Sequence, residues 1–260
     1  MMVAETTTPD VASPMPRFLR IWIFTALVIF LLSGVTLVVM AATRPRTIPT
    51  STTSSEAFAE MNFGEFSLIA QDGRPANQDV FKGKVSIVDF VFTHCQLACP
   101  KMSLEMAKLT KQLADSPVQF VSFSLDPKRD TPEKLGAWAA DWAKKVDGST
   151  DRWMLLTEPP GQSKGDGVVR TLLSKNLKLY VEDDPARPIT LENGQTMSNI
   201  FHPVDFFLVG PDGRIVGRFS STRPEEIQEL AETARAMSKD LTATSPASKP
   251  GSPAALPGAK

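Results

Sequence analysis

The sequence predicts an α/β domain in which helices flank a central mixed sheet, preceded by one apolar helix near the N-terminus. Strand and helix patterns alternate through the middle of the chain, which is typical of this class. A Gly-Pro-Asp-Gly turn between two apolar runs predicts a hairpin close to the C-terminal helix. A long uncharged run near the N-terminus predicts the separate apolar helix.

The apolar run covers residues 21–42. A helix of this length is about 33 Å long at roughly 1.5 Å per residue, which spans the hydrocarbon core of a bilayer. The alternative is a cleaved signal peptide, but the apolar part of such peptides is about 7–15 residues long. The sequence Met40-Ala41-Ala42 is also a poor cleavage site. We therefore predict a transmembrane anchor at 21–42, after a cytoplasmic tail at 1–20.

Flanking charges do not orient the anchor, since two arginines precede it and two follow it. The first sixteen residues contain Glu5 and Asp10 and no basic residue, unlike a mitochondrial presequence. This composition favours the inner membrane of a bacterium.

Composition also divides the rest of the chain. Residues 43–59 are rich in Ser, Thr and Pro and are expected to form a flexible linker. The globular domain is predicted at 60–238, and the Ser-, Pro- and Ala-rich residues 239–260 are expected to be disordered. A formal net charge of -1 gives no electrostatic reason to expect a nucleic-acid partner.

The first half of the domain reads as strand, helix, strand, helix. Buried strands are predicted at Val85–Phe92 and Val118–Leu125, with a helix between them that ends near Leu113. Asp130-Thr131-Pro132-Glu133 is a strong start signal for the second helix.

The second half is predicted to hold a short strand near Trp153–Leu156 and a helix near Val168–Lys175. The hairpin strands Phe206–Val209 and Arg214–Phe219 follow, and then a last helix from about Pro224. The thioredoxin class is the simplest fold with this order of elements.

The chemistry of the chain centres on its two cysteines, Cys95 and Cys99, where a buried strand ends and an amphipathic helix begins. A helix N-terminus favours thiolate, the form that binds soft metals and attacks disulfides. Three intervening residues place both sulfurs on one face, where they can share a metal ion or form a disulfide. Two inert buried cysteines are the structural alternative, which a pair at such a turn disfavours.

The sequence resembles the Sco/SenC family of copper-binding assembly factors from Phe66 to Ala231. The Phe-x-Phe-Thr-x-Cys-x3-Cys-Pro stretch at 90–100 carries the resemblance, together with the Asp-Pro-x-Arg-Asp-Thr segment at 126–131 and His202 ahead of Phe206. Two positions depart from the common pattern: Gln96 follows the first cysteine and Pro203 follows His202.

The resemblance implies a thioredoxin-like fold and copper bound by Cys95, Cys99 and His202. It also implies a periplasmic domain behind a single anchor. The implied partner is the copper-bearing subunit of cytochrome c oxidase, and a second periplasmic copper chaperone is a further candidate. Two thiolates and one imidazole suit Cu(I) and also hold Cu(II), whereas zinc would offer no redox role.

Two functions remain open, and both use the same cysteines. The first is a metallochaperone that delivers copper to the binuclear site of the oxidase. The second is an enzyme, a thiol–disulfide oxidoreductase that reduces the cysteines of that site. A thiol peroxidase is disfavoured, because it requires a single attacking cysteine.

Other residues near the motifs are not expected to bind the metal. We expect His94 to adjust the thiol next to it rather than to bind metal, and Met197 to lie outside the ligand set. Asp130 is interpreted as a residue that caps a helix start. No pattern in the sequence explains Asp89, which lies within a predicted buried strand.

Overall fold

The computed structural model describes residues 16, 18, 21–23, 25–27, 29–33, 58, 60–162 and 167–244. The chain divides into two units, residues 1–50 and 51–260, which are described separately. The predicted linker at 43–59 lies outside the described residues except for Phe58, and so does the tail from residue 245 onward.

In the first unit, the described residues from Phe18 to Ser33 are helical. Within the described residues, no helix has the length and apolarity needed to cross a membrane. Residues 24, 28 and 34–42 of the predicted anchor are outside the described set. The anchor therefore stays a prediction.

The second unit is built on a sheet of seven strands. Along the chain these are β1 Ser67–Ala70, β2 Pro75–Asn77, β3 Ser86–Val91, β4 Gln119–Ser124, β5 Trp153–Thr157, β8 Asp205–Val209 and β9 Ile215–Ser220. In space the order is β2-β1-β5-β4-β3-β8-β9. Strands β3, β4 and β5 are parallel, and the others pair antiparallel. The mixed sheet confirms the predicted α/β class.

Helices connect and cover these strands. They are α1 Cys99–Gln112, α2 Pro132–Lys145, the short α3 Val168–Thr171, which continues as a π-helical turn over Leu172–Asn176, and α4 Pro224–Thr244. Thr131 caps α2 through its hydroxyl, and Pro132 follows it. The helix α4 extends past the boundary predicted at Lys239.

The sheet buries apolar side chains on both faces. Alternation along β3 directs Ile87 to a cluster with Met106 and Leu109 of α1. Phe90, on the opposite face of β3, belongs to a second cluster. In it Phe90 and five other phenylalanines each have a ring within 6.5 Å of another ring between centroids; the five are Phe63, Phe66, Phe81, Phe123 and Phe207. Because β3 and β4 are buried at every position, the carboxyl end of β3 is rigidly placed.

A second, two-stranded sheet was not predicted. Its strands are β6 Glu182–Thr190 and β7 Thr196–Phe201, which form an antiparallel hairpin between α3 and β8. The side-chain amide of Gln96 donates to the carbonyl of Thr190 at 3.4 Å, so the hairpin touches the cysteine turn.

Candidate metal centre

The two cysteines lie where the central strand β3 passes into α1. The backbone amide of Cys95 donates to the carbonyl of Phe92 at 3.2 Å, which closes a tight turn directly after the strand. Cys99 is the first residue of α1, and Pro100 follows in the first turn, where its missing amide hydrogen costs nothing. The predicted strand-to-helix position of the motif is confirmed.

A buried carboxylate fastens this turn to the neighbouring strand. Asp130 accepts hydrogen bonds from the hydroxyl of Thr93 at 2.5 Å and from the hydroxyl of Ser124 at 2.6 Å. The amide of Thr93 donates to the same carboxylate at 3.2 Å. Burial raises the pKa of Asp130 to about 6. The interpretation of Asp130 as a helix cap was wrong, because Thr131 has that role.

His202 reaches the cysteines from the segment between β7 and β8. Its Nδ1 lies 2.8 Å from the carbonyl oxygen of Pro203, an arrangement in which Nδ1 carries the hydrogen and donates it. The lone pair is then on Nε2, which lies 3.5 Å from Sγ of Cys99. The ring also packs edge-on against Phe92 at 5.8 Å between centroids. Pro203 thus supports the orientation of the imidazole through its carbonyl.

The structure brings together the three residues that the resemblance implied. The Sγ atoms of Cys95 and Cys99 and a ring nitrogen of His202 lie within 4.8 Å of one another. All three side chains are buried, with exposures of 8%, 0% and 6% respectively. Both cysteines are free thiols. Two sulfurs and one unprotonated nitrogen at this spacing form a soft donor set for a single ion.

The two thiols differ strongly in acidity. A hydrogen bond from the Cys99 side chain lowers the pKa of Cys95 to about 4, with further contributions from His202 and from the backbone amide of Cys99. That amide lies 3.4 Å from Sγ of Cys95. The pKa of Cys99 is raised well above its usual value, chiefly by burial. The metal-free site therefore pairs a Cys95 thiolate with a Cys99 thiol.

His94 lies beside the motif but not with the ligand atoms. Its Nδ1 is 3.3 Å from the hydroxyl of Thr93, and its Nε2 is 3.3 Å from Nζ of Lys134. The pKa of Cys95 shows no contribution from His94 among its main causes. Met197 is buried in the core cluster and is not among the three grouped residues.

Asp89 is the buried acidic residue that sequence analysis left unexplained. It lies in the middle of β3, fully buried, and burial raises its pKa to about 7. Electrostatic interaction with His202 acts in the opposite direction on that pKa, so Asp89 interacts with the site. An acidic residue inside a buried strand pattern was the available signal.

The domain is a mixed α/β fold with two cysteines at a strand-to-helix turn and a histidine brought next to them. This combination defines a class of thiol and imidazole sites. Such sites hold a soft metal or exchange disulfides. The chain belongs to the SCO1/SenC family, whose model matches residues 54–238.

Individual relatives agree with this assignment. The SCO1 protein homolog of Bacillus subtilis is 28% identical over 175 residues, which are 66% of this chain and 81% of that protein. A protein of Stutzerimonas stutzeri named "Putative copper-binding protein" is 30% identical over 156 residues, which are 59% of this chain and 66% of that protein. This chain spans about half the length of two yeast relatives, 56% of one and 49% of the other.

A solved structure of BsSco has a TM-score of 0.53 and 27% identity, covering 69% of this chain and 95% of that chain. BsSco is described as a member of the Sco family of cytochrome c oxidase assembly proteins that has a disulfide switch.

Proposed function

We propose that the protein is a copper metallochaperone that helps to assemble the binuclear copper site of cytochrome c oxidase. The main support is the convergence of Cys95, Cys99 and His202, whose ligand atoms lie within 4.8 Å of one another. The copper binding named for the Stutzerimonas relative and the oxidase assembly named for BsSco support the same function.

The donor set suits copper that is passed on rather than kept. Two thiolates and one imidazole satisfy Cu(I) with three ligands, so an incoming ligand of an acceptor protein finds an open coordination position. Nε2 of His202 is available because Nδ1 donates to Pro203. Metal binding displaces the proton of Cys99, so that both sulfurs bind as thiolates.

A thiol–disulfide oxidoreductase is the second candidate, and the acidity of the thiols favours it. A thiolate with a pKa of about 4 beside a protonated partner is the usual arrangement of an attacking and a resolving cysteine. Reduction of the oxidase cysteines would proceed through a mixed disulfide on Cys95, which the thiol of Cys99 then resolves.

Replacing His202 separates the two functions. His202→Ala removes one copper ligand and leaves both cysteines at the start of α1, so we expect copper affinity to fall at least tenfold and oxidase assembly to fail. Disulfide exchange is expected to continue. Copper titration of the 260-residue chain and complementation at matched protein levels measure both outcomes.

His94→Ala is the matched control, because His94 is the other histidine of the chain and lies outside the ligand group. This variant is expected to bind copper like the wild type. Unchanged copper affinity in His202→Ala would refute the ligand assignment. Normal assembly despite weakened copper binding would favour the oxidoreductase.

We also propose a fold class and a location for the protein. The unit β3-α1-β4 followed by β8-β9-α4 supports a thioredoxin-like class, because a parallel pair joined by a helix is completed by an antiparallel hairpin. The apolar run 21–42 supports an anchor in a bacterial inner membrane, with the copper site in the periplasm. There the copper-bearing oxidase subunit and a second copper chaperone would be partners.

A further inference from the structure

Asp89 has no evident structural reason to be charged. Its side chain is fully buried. Oδ1 accepts a hydrogen bond from the hydroxyl of Ser122 at 2.5 Å, and that hydroxyl oxygen accepts one from Nε1 of Trp153 at 2.9 Å. Oδ2 is buried and has no hydrogen-bond partner among the described residues. An unpartnered buried carboxylate oxygen destabilises a fold, so an uncharged residue would serve packing better.

The position of Asp89 relates it to the metal centre. Strand alternation places Ile87, Asp89 and Val91 on the same face of β3. Ile87 packs in the cluster that contains Met106 of α1, and Val91 packs in the cluster that contains Cys99. Asp89 therefore lies between Ile87 and Val91, on the face of β3 that packs against α1 through Ile87.

Electrostatic interactions agree with this placement. Electrostatic interaction with His202 lowers the pKa of Asp89, and the carboxylate of Asp89 raises the pKa of Cys99. One buried carboxyl thus interacts with two of the three proposed ligands. Because it lies inside the sheet rather than at the surface, solvent screens this interaction weakly.

The charge of the site depends on the oxidation state of copper. Two thiolates and a neutral imidazole give a net charge of -1 with Cu(I) and zero with Cu(II). A further negative charge nearby repels the first complex more than the second. In the protein interior, where the effective dielectric constant is about 20, a unit charge acts over several ångströms and so changes this balance.

We propose that Asp89 is a buried charge-setting residue of the metal centre that favours Cu(II) over Cu(I). The residue acts through the field at the ligands and does not touch the ion. This inference rests on the proposed copper site, and it adds that a residue outside the ligand set adjusts the balance between Cu(II) and Cu(I).

The test compares the affinities of the two ions at pH 8 in the 260-residue chain, by competition with a chromophoric chelator for each ion. In Asp89→Asn we expect Cu(II) affinity to fall at least tenfold relative to Cu(I) affinity. Asp89→Thr also removes the charge, at nearly the same volume and with a residue suited to strands. Both variants are expected to show the same change in the ratio.

Three outcomes would overturn the proposal. An unchanged ratio in either folded variant excludes a charge effect. A ratio that changes in one variant only indicates altered packing instead. Failure of the wild-type chain to bind either ion overturns the proposed function, and the inference with it, whereas normal wild-type binding with an unchanged ratio overturns the inference alone.

Discussion

Cys95 and Cys99 have opposite protonation states in the metal-free protein because their surroundings differ. Cys95 lies before the start of α1, where the Cys99 thiol and backbone amides donate toward its sulfur. Cys99 is fully buried beneath the turn. The charged sulfur is therefore the more exposed one, to which an incoming ion or disulfide has access.

This arrangement predicts a distinct pH profile for alkylation. With a pKa of about 4, Cys95 is already thiolate at pH 5.5, so its rate of reaction with iodoacetamide is expected to stay nearly constant up to pH 8. An ordinary thiol would react about tenfold more slowly for each unit below its pKa. Mass spectrometry of the reduced, metal-free chain measures the rate at each residue.

Cys99→Ala provides the control for that profile. It removes the largest cause of the low pKa, the hydrogen bond from the Cys99 side chain. The midpoint of Cys95 alkylation is then expected to rise. A wild-type rate that increases steadily with pH up to 8 would contradict the assignment of Cys95 as the thiolate.

Asp89 gives a second prediction, for stability. Its folded pKa of about 7 exceeds the ordinary value of 3.8, so the folded state holds a proton that the unfolded state releases earlier. This contribution to stability is complete below about pH 4 and is lost as pH rises through 7. Asp89→Asn cannot ionise, and it should gain on the order of 2 kcal/mol relative to wild type between pH 5 and pH 8.

Urea unfolding at the two pH values measures this gain, because other titrating groups affect both proteins alike and cancel in the difference. An equal difference between Asp89→Asn and wild type at pH 5 and pH 8 would show that Asp89 does not titrate in this range. A stabilising substitution at this residue would also indicate that its charge serves the site rather than the fold.

At the scale of elements, the turn between β3 and α1 depends on the contacts of Asp130. Asp130→Ala removes the acceptor for the Thr93 amide and for the hydroxyls of Thr93 and Ser124, all in a buried region. We expect it to lower the free energy of unfolding by about 3 kcal/mol, because it leaves hydrogen-bond donors in the interior without an acceptor. We also expect weaker copper binding, because the turn carries Cys95.

Asp141→Ala is the matched control, since Asp141 lies exposed on α2. Its effect is expected to stay within about 0.5 kcal/mol. Copper affinity that survives in a destabilised Asp130→Ala would show that Asp130 supports the fold without positioning the cysteine.

The elements that sequence analysis found share strong local signals. Strand β3 is rich in apolar β-branched residues, β4 contains Phe120, Val121 and Phe123, and α2 begins with a cap and a proline. The hairpin β6-β7 lacks such a signal, because β6 is mostly exposed and contains Pro185 and Pro188, which disfavour strands. The Asn193-Gly194 turn was the one available cue.

The site could be predicted from the sequence only in part, for a similar reason. Cys95 and Cys99 are close in sequence, so spacing alone predicted that they act together. His202 is more than a hundred residues away, and only the family resemblance connected it to them. The burial of Asp89 followed from its strand pattern, but the hydrogen bonds of Asp130 and Asp89 depend on the packing of β3 against β4, which no local pattern encodes.

At the scale of the whole molecule, the order along the chain is an apolar run, a segment rich in Ser and Thr, and a domain with a reactive site. The predicted anchor would confine the site to the plane of the membrane, which would raise its effective concentration near a membrane-bound partner. In the proposed topology the thiols would lie in the periplasm, where the Cys95 thiolate would meet oxidants and copper.

We therefore predict that residues 21–42 remain in the mature protein and that the cysteines face the periplasm. The run is long enough to cross a bilayer and ends without a clean cleavage site, so the protein should resist extraction from membranes by alkaline carbonate. A chain that lacks residues 1–42 should instead appear in the soluble fraction. A membrane-impermeant maleimide added to intact spheroplasts should label Cys95. Labelling only after lysis would refute this topology. A mature N-terminus directly after Ala42 would refute the anchor.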